Sequence, residues 1–289
     1  MEFREIDYAQ DINEIIDLLN ANFETNHTKE AFLWKHFHNP FGKSYGLLAV
    51  DDHKIVALRM FMRWEFCCDN KIIKAIRPVD TCTDHDYRGK GLFKKITLQG
   101  LENIKDEYDL IFNTPNENSK PGYLKMGWKE IKGSLTYKVG AINFLKQAQP
   151  FKNVSSSDID FHNSWLEGVS CQTNISEQYL EWRYRDPNYK IAKFSDGGIV
   201  IYKLTKLKGI NTIILIDAYG HQKTLNSRVR SVCLKNAAMA VYYFTNLKNQ
   251  QLTFIFKIKK GPQTVVCKDD QFGINEKIDF SVGDLEGRL

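Results

Sequence analysis

Two glycines set among basic side chains mark the stretch Tyr87-Arg88-Gly89-Lys90-Gly91-Leu92-Phe93. It follows a strand-like run, Lys71 to Thr83, and opens a helix-like run, Leu92 to Ile104. A strand that feeds a short Gly-rich turn and then a helix leaves a concave row of backbone N–H groups at the positive end of the helix dipole. Such a row can hold a phosphate or pyrophosphate. Gly89 and Gly91 let the main chain approach an anion with no Cβ in the way. Arg88, Lys90, Lys94 and Lys95 add mobile positive charge around it. The spacing is too short for a Walker loop and no Gly-Lys-Ser/Thr follows. No third glycine stands three residues after Gly91, as a dinucleotide fingerprint requires. A plain basic turn is the other reading of this heptad by itself.

An anion-holding turn needs a sheet beneath it and helices to cover that sheet. Ile12, Ile15, Ile16, Leu18 and Leu19 recur at helical spacing over residues 10 to 22. A second helix is expected from Thr28 to Phe37, with Thr28 as N-cap. Strands are expected at Gly46 to Val50, Ile55 to Cys67 and Lys71 to Thr83, joined by hairpin turns at Asp51-Asp52-His53-Lys54 and Cys68-Asp69-Asn70. Pro78 has no N–H to donate, which predicts an interruption or bulge there. Beyond the loop and its helix come a buried-looking strand, Tyr108 to Asn113, a turn-rich stretch, Thr114 to Ser119, and strands around Glu130 to Val139. The polar stretch Asn153 to Asp158, after Gln149-Pro150, reads as a linker or loop.

The 289 residues suffice for one large domain or two small ones. With 43% apolar and 26% charged residues the composition is that of an ordinary soluble globular protein. No apolar run approaches the roughly 20 residues needed to span a bilayer, and the charged start Met1-Glu2-Phe3-Arg4-Glu5 does not read as a signal peptide. The six cysteines include no Cys-x-x-Cys pair, which argues against a disulfide framework or a zinc site and for a reducing cytoplasm. A net charge of +5 suits an anionic ligand without demanding nucleic acid.

A weak internal echo divides the chain. Thr28-Lys29-Glu30-Ala31-Phe32-Leu33-Trp34-Lys35 resembles Ser176-Glu177-Gln178-Tyr179-Leu180-Glu181-Trp182-Arg183. Asn39-Pro40 follows the first and Asp186-Pro187 the second, and strand-like segments come after each, Gly198 to Leu204 and Thr212 to Asp217 in the later half. One supersecondary plan used twice would give this pattern. The later half reads Ile216-Asp217-Ala218-Tyr219-Gly220-His221 where the earlier half has its Gly-rich loop, so only the first copy keeps the anion cradle.

These residues resemble the Gcn5-related N-acetyltransferases. The family's cofactor loop is Gln/Arg-x-x-Gly-x-Gly/Ala, and Arg88, Gly91 and Phe93 occupy its three fixed places. Phe93 departs from Gly/Ala; a bulky side chain on the first helical turn must point away from the phosphates while its N–H still serves. A second family pattern, Asn-x-x-Ala-x-x-x-Tyr-x-x-x-Gly-Phe, is echoed by Asn116, Ser119, Tyr123, Gly127 and Trp128. Pro121 and Gly122 inside it predict a short or irregular helix. The resemblance covers about residues 1 to 140 and is specific over 76 to 128. With the repeat, it implies a tandem arrangement like that of the Eis-like members: an α/β (α+β) fold, a mixed and mostly antiparallel sheet flanked by helices, followed by a second, degenerate copy. The expected domains are 1–150, binding acetyl-CoA, and 151–289, lacking the pyrophosphate loop.

The resemblance also implies roles. The diphosphate of coenzyme A would lie on backbone N–H groups from Gly89 through Lys90, Gly91 and Leu92 to Phe93, beside Arg88. The pantetheine arm would run along Thr81, Cys82 and Thr83, with Asn116 and Ser119 on its other side. Tyr123 would protonate the leaving thiolate, since a phenol with a reference pKa near 10 keeps its proton at neutral pH. Asp80 is the best-placed base for the acceptor amine, with Asp84, His85, Glu117 or a water chain as alternatives. Cys82 reads as a small buried hydrophobe rather than a nucleophile. The implied activity is N-acetyl transfer from acetyl-CoA to a primary amine of a small molecule or peptide, with no metal, nucleic acid or membrane involved. The acceptor and the oligomeric state are left open. The alternatives are a Fem-type transferase that uses aminoacyl-tRNA and a non-catalytic acyl-CoA sensor.

Overall fold

The structure is a computed structural model and describes residues 1–131, 136–145, 148–161, 165, 171–244, 252–268, 273 and 277–285. Strand β1 (Glu2–Glu5) leads into helix α1 (Ile12–Asn22), whose apolar stripe buries Ile12, Ile15, Leu18 and Leu19. Helix α2 (Lys29–His36) starts where expected: the Thr28 hydroxyl accepts the Ala31 N–H at 3.2 Å. Strands β2 (Tyr45–Asp51), β3 (Lys54–Cys68) and β4 (Lys71–Thr83) follow as an antiparallel meander. Its two turns put Asp52, His53, Asp69 and Asn70 at positive φ, the conformation that two-residue hairpins need. Then come α3 (Leu92–Asn103), β5 (Leu110–Asn113), the six-residue α4 (Lys120–Lys125) and β6 (Lys129–Glu130).

The later elements are β7 (Thr136–Ala141), β8 (Phe151–Val154), β9 (Cys171–Thr173), α5 (Glu177–Arg183), β10 (Lys190–Phe194), β11 (Ile199–Leu207) and β12 (Ile210–Tyr219). They continue with α6 (Gln222–Lys235), β13 (Ala240–Phe244), β14 (Phe256–Pro262), β15 (Val266–Lys268) and α7 (Val282–Leu285). The chain divides into two compact units, Met1–Ile131 with Val265–Glu276, and Lys132–Thr264 with Lys277–Leu289.

In the first unit the strand order is β1-β2-β3-β4-β5-β15-β6. Of the neighbours in this order, among the described residues, β4 and β5 run parallel, and α3 makes the crossover between them. Helix α1 covers one face with Leu48, Leu58, Met60 and Cys82 beneath it; α3 and α4 cover the other, over Phe61, Ile76 and Ile111. In the second unit the order is β14-β7-β13-β12-β11-β10-β8, again with one parallel pair, β12 and β13, bridged by α6. The run α2-β2-β3-β4-α3-β5 is therefore repeated as α5-β10-β11-β12-α6-β13. The fold is α+β with two mixed, mostly antiparallel sheets.

Four local expectations need correction. The bulge in β4 lies two residues past Pro78: Phe61 still faces Pro78, and the register slips between Val79 and Cys82, where Asp80 has φ 43°. Asn153 and Val154, the start of the stretch read as a linker or loop, belong to β8 in the second sheet, while Ser156–Asp158 form a 3-10 turn beyond it. Residues 136–141 pair with β13 and β14 of the second sheet, while 132–135 of the strand expected around 130–139 lie outside the described residues. Cys68 and Cys171 are each disulfide-bonded rather than free thiols, which sequence spacing could not reveal because pairing depends on distances set by the fold.

Candidate functional site

Strands β4 and β5 pair only at Ala75 with Leu110 and Ile76 with Ile111. Past that point the two strands part. Pro78 has no N–H to extend the ladder, and the bulge turns β4 further. Val79, Asp80, Thr81 and Thr83 are in consequence partly exposed, although β4 lies inside the sheet order. The result is a strand edge with unpaired main-chain groups, the kind that an extended ligand can complete.

The bulge is held by charge. Asp80 accepts from Lys35 Nζ at 3.0 Å and from His36 Nε2 at 2.7 Å, both side chains reaching over from the end of α2. Burial pushes the Asp80 carboxyl up, but the Lys35 charge and the His36 hydrogen bond outweigh it and hold the group well below the usual carboxylate range. Burial pushes His36 down against the pull of Asp80, so its imidazole is neutral. An ionised carboxylate only accepts, so the proton sits on Nε2, and Nδ1 accepts from the Ser44 hydroxyl at 2.9 Å. This network restrains an aspartate in a left-handed backbone conformation that costs about 1 kcal/mol or more.

On the opposite face of the sheet, strand alternation sets Arg59 between Ala57 and Phe61. Its guanidinium donates to the Thr81 hydroxyl on β4 and, at 2.7 Å, to the Tyr123 hydroxyl on α4. Asn113, the last residue of β5, donates to the same hydroxyl at 2.6 Å. Tyr123 packs edge-on against Phe93 and Trp128, with ring centroids 5.7 and 4.7 Å away. Phe93 thus turns its ring into the core, as its departure from the loop pattern requires.

The Gly-rich loop is open. Gly89 and Gly91 have φ of 76° and 74°, and a Cβ on either would meet nothing within 4 Å. Gly91 gives α3 no side-chain cap, and among the described residues no acceptor takes the N–H groups of Leu92, Phe93 or Lys94; the first bond of the helix is Lys95 N–H to Gly91 O at 3.1 Å. The loop is braced from its flanks: the Asp84 side chain accepts the Asp86 N–H at 3.0 Å and Lys54 Nζ at 2.7 Å, and Tyr87 donates to Asp51 at 2.9 Å. Arg88 donates to Thr83 O at 3.3 Å and to Asn22 Oδ1 at 2.7 Å, and Lys90 lies over the Tyr87 ring. Leu92 is buried beneath the sheet-facing side of α3.

The other expected residues fall as follows. Cys82 is buried in the α1-facing core, and burial pushes its thiol up to about 11, which leaves little thiolate for nucleophilic chemistry. Asn116 Oδ1 accepts from both the N–H and the hydroxyl of Ser119 at 2.9 Å, so these two residues brace the turn before α4. Asp84 is engaged with Lys54, whose hydrogen bond lowers its carboxyl, while His85 and Glu117 are exposed. Lys35, His36, Ser44, Arg59 and Asn113 were not anticipated. Arg59 had a legible signal, a single charge inside the apolar run Ile55 to Phe61; Lys35 and His36 had none that spacing could reveal. Among the described residues no group of His, Cys, Asp and Glu is arranged to hold a metal ion, and no helix is long and apolar enough to cross a membrane.

A sheet parted at one parallel pair, with an open glycine turn and an uncapped helix at the mouth, defines a protein of the N-acyltransferase fold class. Solved structures share this fold. A conserved protein of unknown function from Enterococcus faecalis V583, described as a probable N-acyltransferase, matches with a TM-score of 0.69 at 15% identity over 93% of this chain and 73% of its own. A GCN5-related N-acetyltransferase from Anabaena variabilis matches with a TM-score of 0.71 at 11% identity over 93% and 73%, and one from Kribbella flavida with 0.66 at 13% over 92% and 70%. No curated protein matches the sequence. Residues 2–131 match the family model described as an acetyltransferase (GNAT) domain. That match lies within the first unit, and the structural likeness extends over both.

Proposed function

We propose that the protein is an N-acetyltransferase that moves an acetyl group from acetyl-CoA to a primary amine by direct attack on the thioester. The observation that carries this reading is the junction before α3: two left-handed glycines with open space where a Cβ would stand, ahead of a helix with no side-chain cap. A diphosphate suits the chemistry of that junction. In this reading the N–H groups from Gly89 to Phe93 hold the diphosphate, with Arg88 and Lys90 adding charge. The main chain of Thr81, Cys82 and Thr83 pairs with the pantetheine arm along the open edge of β4, and Asn116 and Ser119 border its other side. Tyr123 gives the leaving thiolate its proton. Asp80, ionised and already flanked by two hydrogen-bond donors, attracts and orients the acceptor's nitrogen; its low proton affinity makes it a poor sole base, and water takes the amine proton.

Calorimetric titration with acetyl-CoA, followed by thiol release with acetyl-CoA against a broad panel of amines, tests the reading. Saturable binding and release with at least one amine class are expected. Binding of aminoacyl-tRNA in place of acetyl-CoA would favour a Fem-type transferase. Binding of acetyl-CoA without release from any amine, unaltered by Tyr123→Phe, would make the protein a sensor.

A further inference from the structure

The Tyr123 hydroxyl receives two donors and supplies none. Arg59 Nη2 reaches it at 2.7 Å and Asn113 Nδ2 at 2.6 Å. The direction of the Asn113 amide is fixed by the backbone, because its Oδ1 accepts the Thr114 N–H at 2.8 Å and the NH2 end must face the phenol. A phenol has two acceptor lone pairs and one proton. Both lone pairs are taken, and among the described residues the proton has no acceptor. It is left for a group that the chain does not provide.

Arg59 makes the second, independent observation. It is 1% exposed and forms no ion pair among the described residues; its Nε has no partner. Its other contacts are the Thr81 hydroxyl and the rings of Phe61, Phe93 and Tyr123, centred 5.7, 5.3 and 5.5 Å from the guanidinium carbon. A buried cation without a counter-ion carries a desolvation penalty that ring faces and neutral hydroxyls offset only in part. A phenolate at Tyr123 would supply the missing charge at hydrogen-bond distance.

We propose that Arg59 and Asn113 are positioning residues that stabilise the Tyr123 phenolate, and so make Tyr123 a ready proton donor at the parting of β4 and β5. The inference rests on the reading of the first unit as an acetyl-CoA-dependent transferase. In the step, the amine nitrogen forms a bond to the thioester carbon and the C–S bond breaks. The sulfur keeps the electron pair and takes the Tyr123 proton. The nitrogen releases its extra proton to water, and water returns a proton to the phenolate held by Arg59 and Asn113.

The test compares Tyr123→Phe, Arg59→Met, Asn113→Asp and the double variants Arg59→Met/Tyr123→Phe and Asn113→Asp/Tyr123→Phe. The donor is acetyl-CoA. The acceptor is hydroxylamine, which is neutral at neutral pH and needs no base. Each single variant is expected to lower kcat about 100-fold, the lower end for a lost general acid. The calorimetric Kd for acetyl-CoA should stay within about threefold of the parent, since no ground-state contact is removed. Each double variant should be no slower than Tyr123→Phe alone, because Arg59 and Asn113 act only through the phenol. Asn113→Asp keeps the acceptor for Thr114 and replaces the donor with a negative charge, so it decides the matter if Arg59→Met loses its cooperative thermal transition. Losses that multiply in the double variants, or an unchanged kcat in Asn113→Asp, would overturn the proposal while leaving acetyl-CoA binding and turnover intact. If the unmodified protein bound no acetyl-CoA, the reading of the site would fail and this proposal with it.

Discussion

The two units meet the same junction, third strand into helix, and finish it in opposite ways. Before α3 the chain leaves Gly89 and Gly91 open, with nothing within 4 Å of a built Cβ. Before α6 the matching turn is closed: a Cβ on Gly220 would stand 2.7 Å from Arg228 Nη1 and 2.8 Å from Gly198 Cα. Arg228, on α6 itself, donates to Tyr219 O at 3.0 Å and to Asp196 at 2.8 Å, and so occupies the junction with the unit's own charge. The carboxylates on the third strands differ in the same sense. Asp80 is matched by Lys35 and His36 at the end of α2. Its counterpart Asp217 accepts from Tyr184, just past the end of α5, where the Trp182-Arg183-Tyr184 run stands for Trp34-Lys35-His36. Asp217 also faces the charge of Asp284 on α7, whose Gly283 carbonyl accepts from Arg183 Nη2 at 2.7 Å. One supersecondary plan can be kept while its capacity to bind an anion is lost, because that capacity lies in what fills the junction and not in the order of elements.

The largest effect expected from this contrast is on binding. Gly91→Glu puts a carboxylate where the diphosphate would lie, and like charges brought together cost several kcal/mol. The Kd for acetyl-CoA should rise about a thousand-fold by calorimetry. Because the site is open, the thermal midpoint should fall only by the strain of a side chain at positive φ, about 1 kcal/mol. Gly220→Ala should do the reverse. The new methyl group collides with Gly198 backbone, so about 2 kcal/mol of stability should be lost while the Kd is unchanged. Equal loss of binding in both variants would break the distinction between an open and a filled junction.

The paired carboxylates sharpen it through pH. Asp80 binds its proton less tightly in the native state than in the unfolded chain, so its stabilising contribution is present above the unfolded value near pH 4 and is lost as pH falls toward the native one. Asp217 is the opposite case: burial, with the Asp284 charge adding to it, pushes its carboxyl up to about 7. Its contribution is complete below about pH 4 and is lost as pH rises through about 7. Asp80→Asn should therefore cost about 3 kcal/mol at neutral pH, since it leaves Lys35 and His36 buried without their anion. Asp217→Asn should gain stability over the parent as pH rises, by about 3 kcal/mol between pH 5 and pH 8. Urea midpoints across that range measure both. Parallel pH profiles for the two variants would show that the carboxylates are equivalent after all.

How much of this was legible follows from the range of each interaction. Helix α1, the two hairpin turns, the Thr28 cap and the loop at Gly89 to Gly91 are set by neighbours a few residues apart, and spacing exposes them. The repeat was visible in the helices that carry Trp34 and Trp182, in the Asn39-Pro40 and Asp186-Pro187 pairs and in the strand-like segments after them, and the structure extends it to six elements. The bulge was sought at Pro78 because a missing N–H is local; it lies at Asp80 because Lys35 and His36, more than forty positions earlier, capture that carboxylate. The return of β15 between β5 and β6 was not foreseen, since a three-residue strand carries no period of its own. Arg59 could have been suspected as a lone charge in an apolar strand, but its pairing with Tyr123 spans 64 positions and no motif encodes it.

The smallest expected effect is a point at which the two units should not differ. Thr28 and Ser176 start the matching helices α2 and α5, and each hydroxyl accepts an N–H from three residues on, Ala31 at 3.2 Å and Tyr179 at 3.1 Å. Neither bond touches a junction or a buried charge. Alanine at either place removes one acceptor for an otherwise unsatisfied first-turn N–H, which costs about 1 kcal/mol. Thr28→Ala and Ser176→Ala should therefore lower the urea midpoint by similar amounts and leave the acetyl-CoA Kd unchanged. A larger loss for Thr28→Ala accompanied by weaker binding would mean that α2 transmits the state of Lys35 and His36 to the parting of β4 and β5. The contrast between the units would then begin at the start of the repeat and not at its junction.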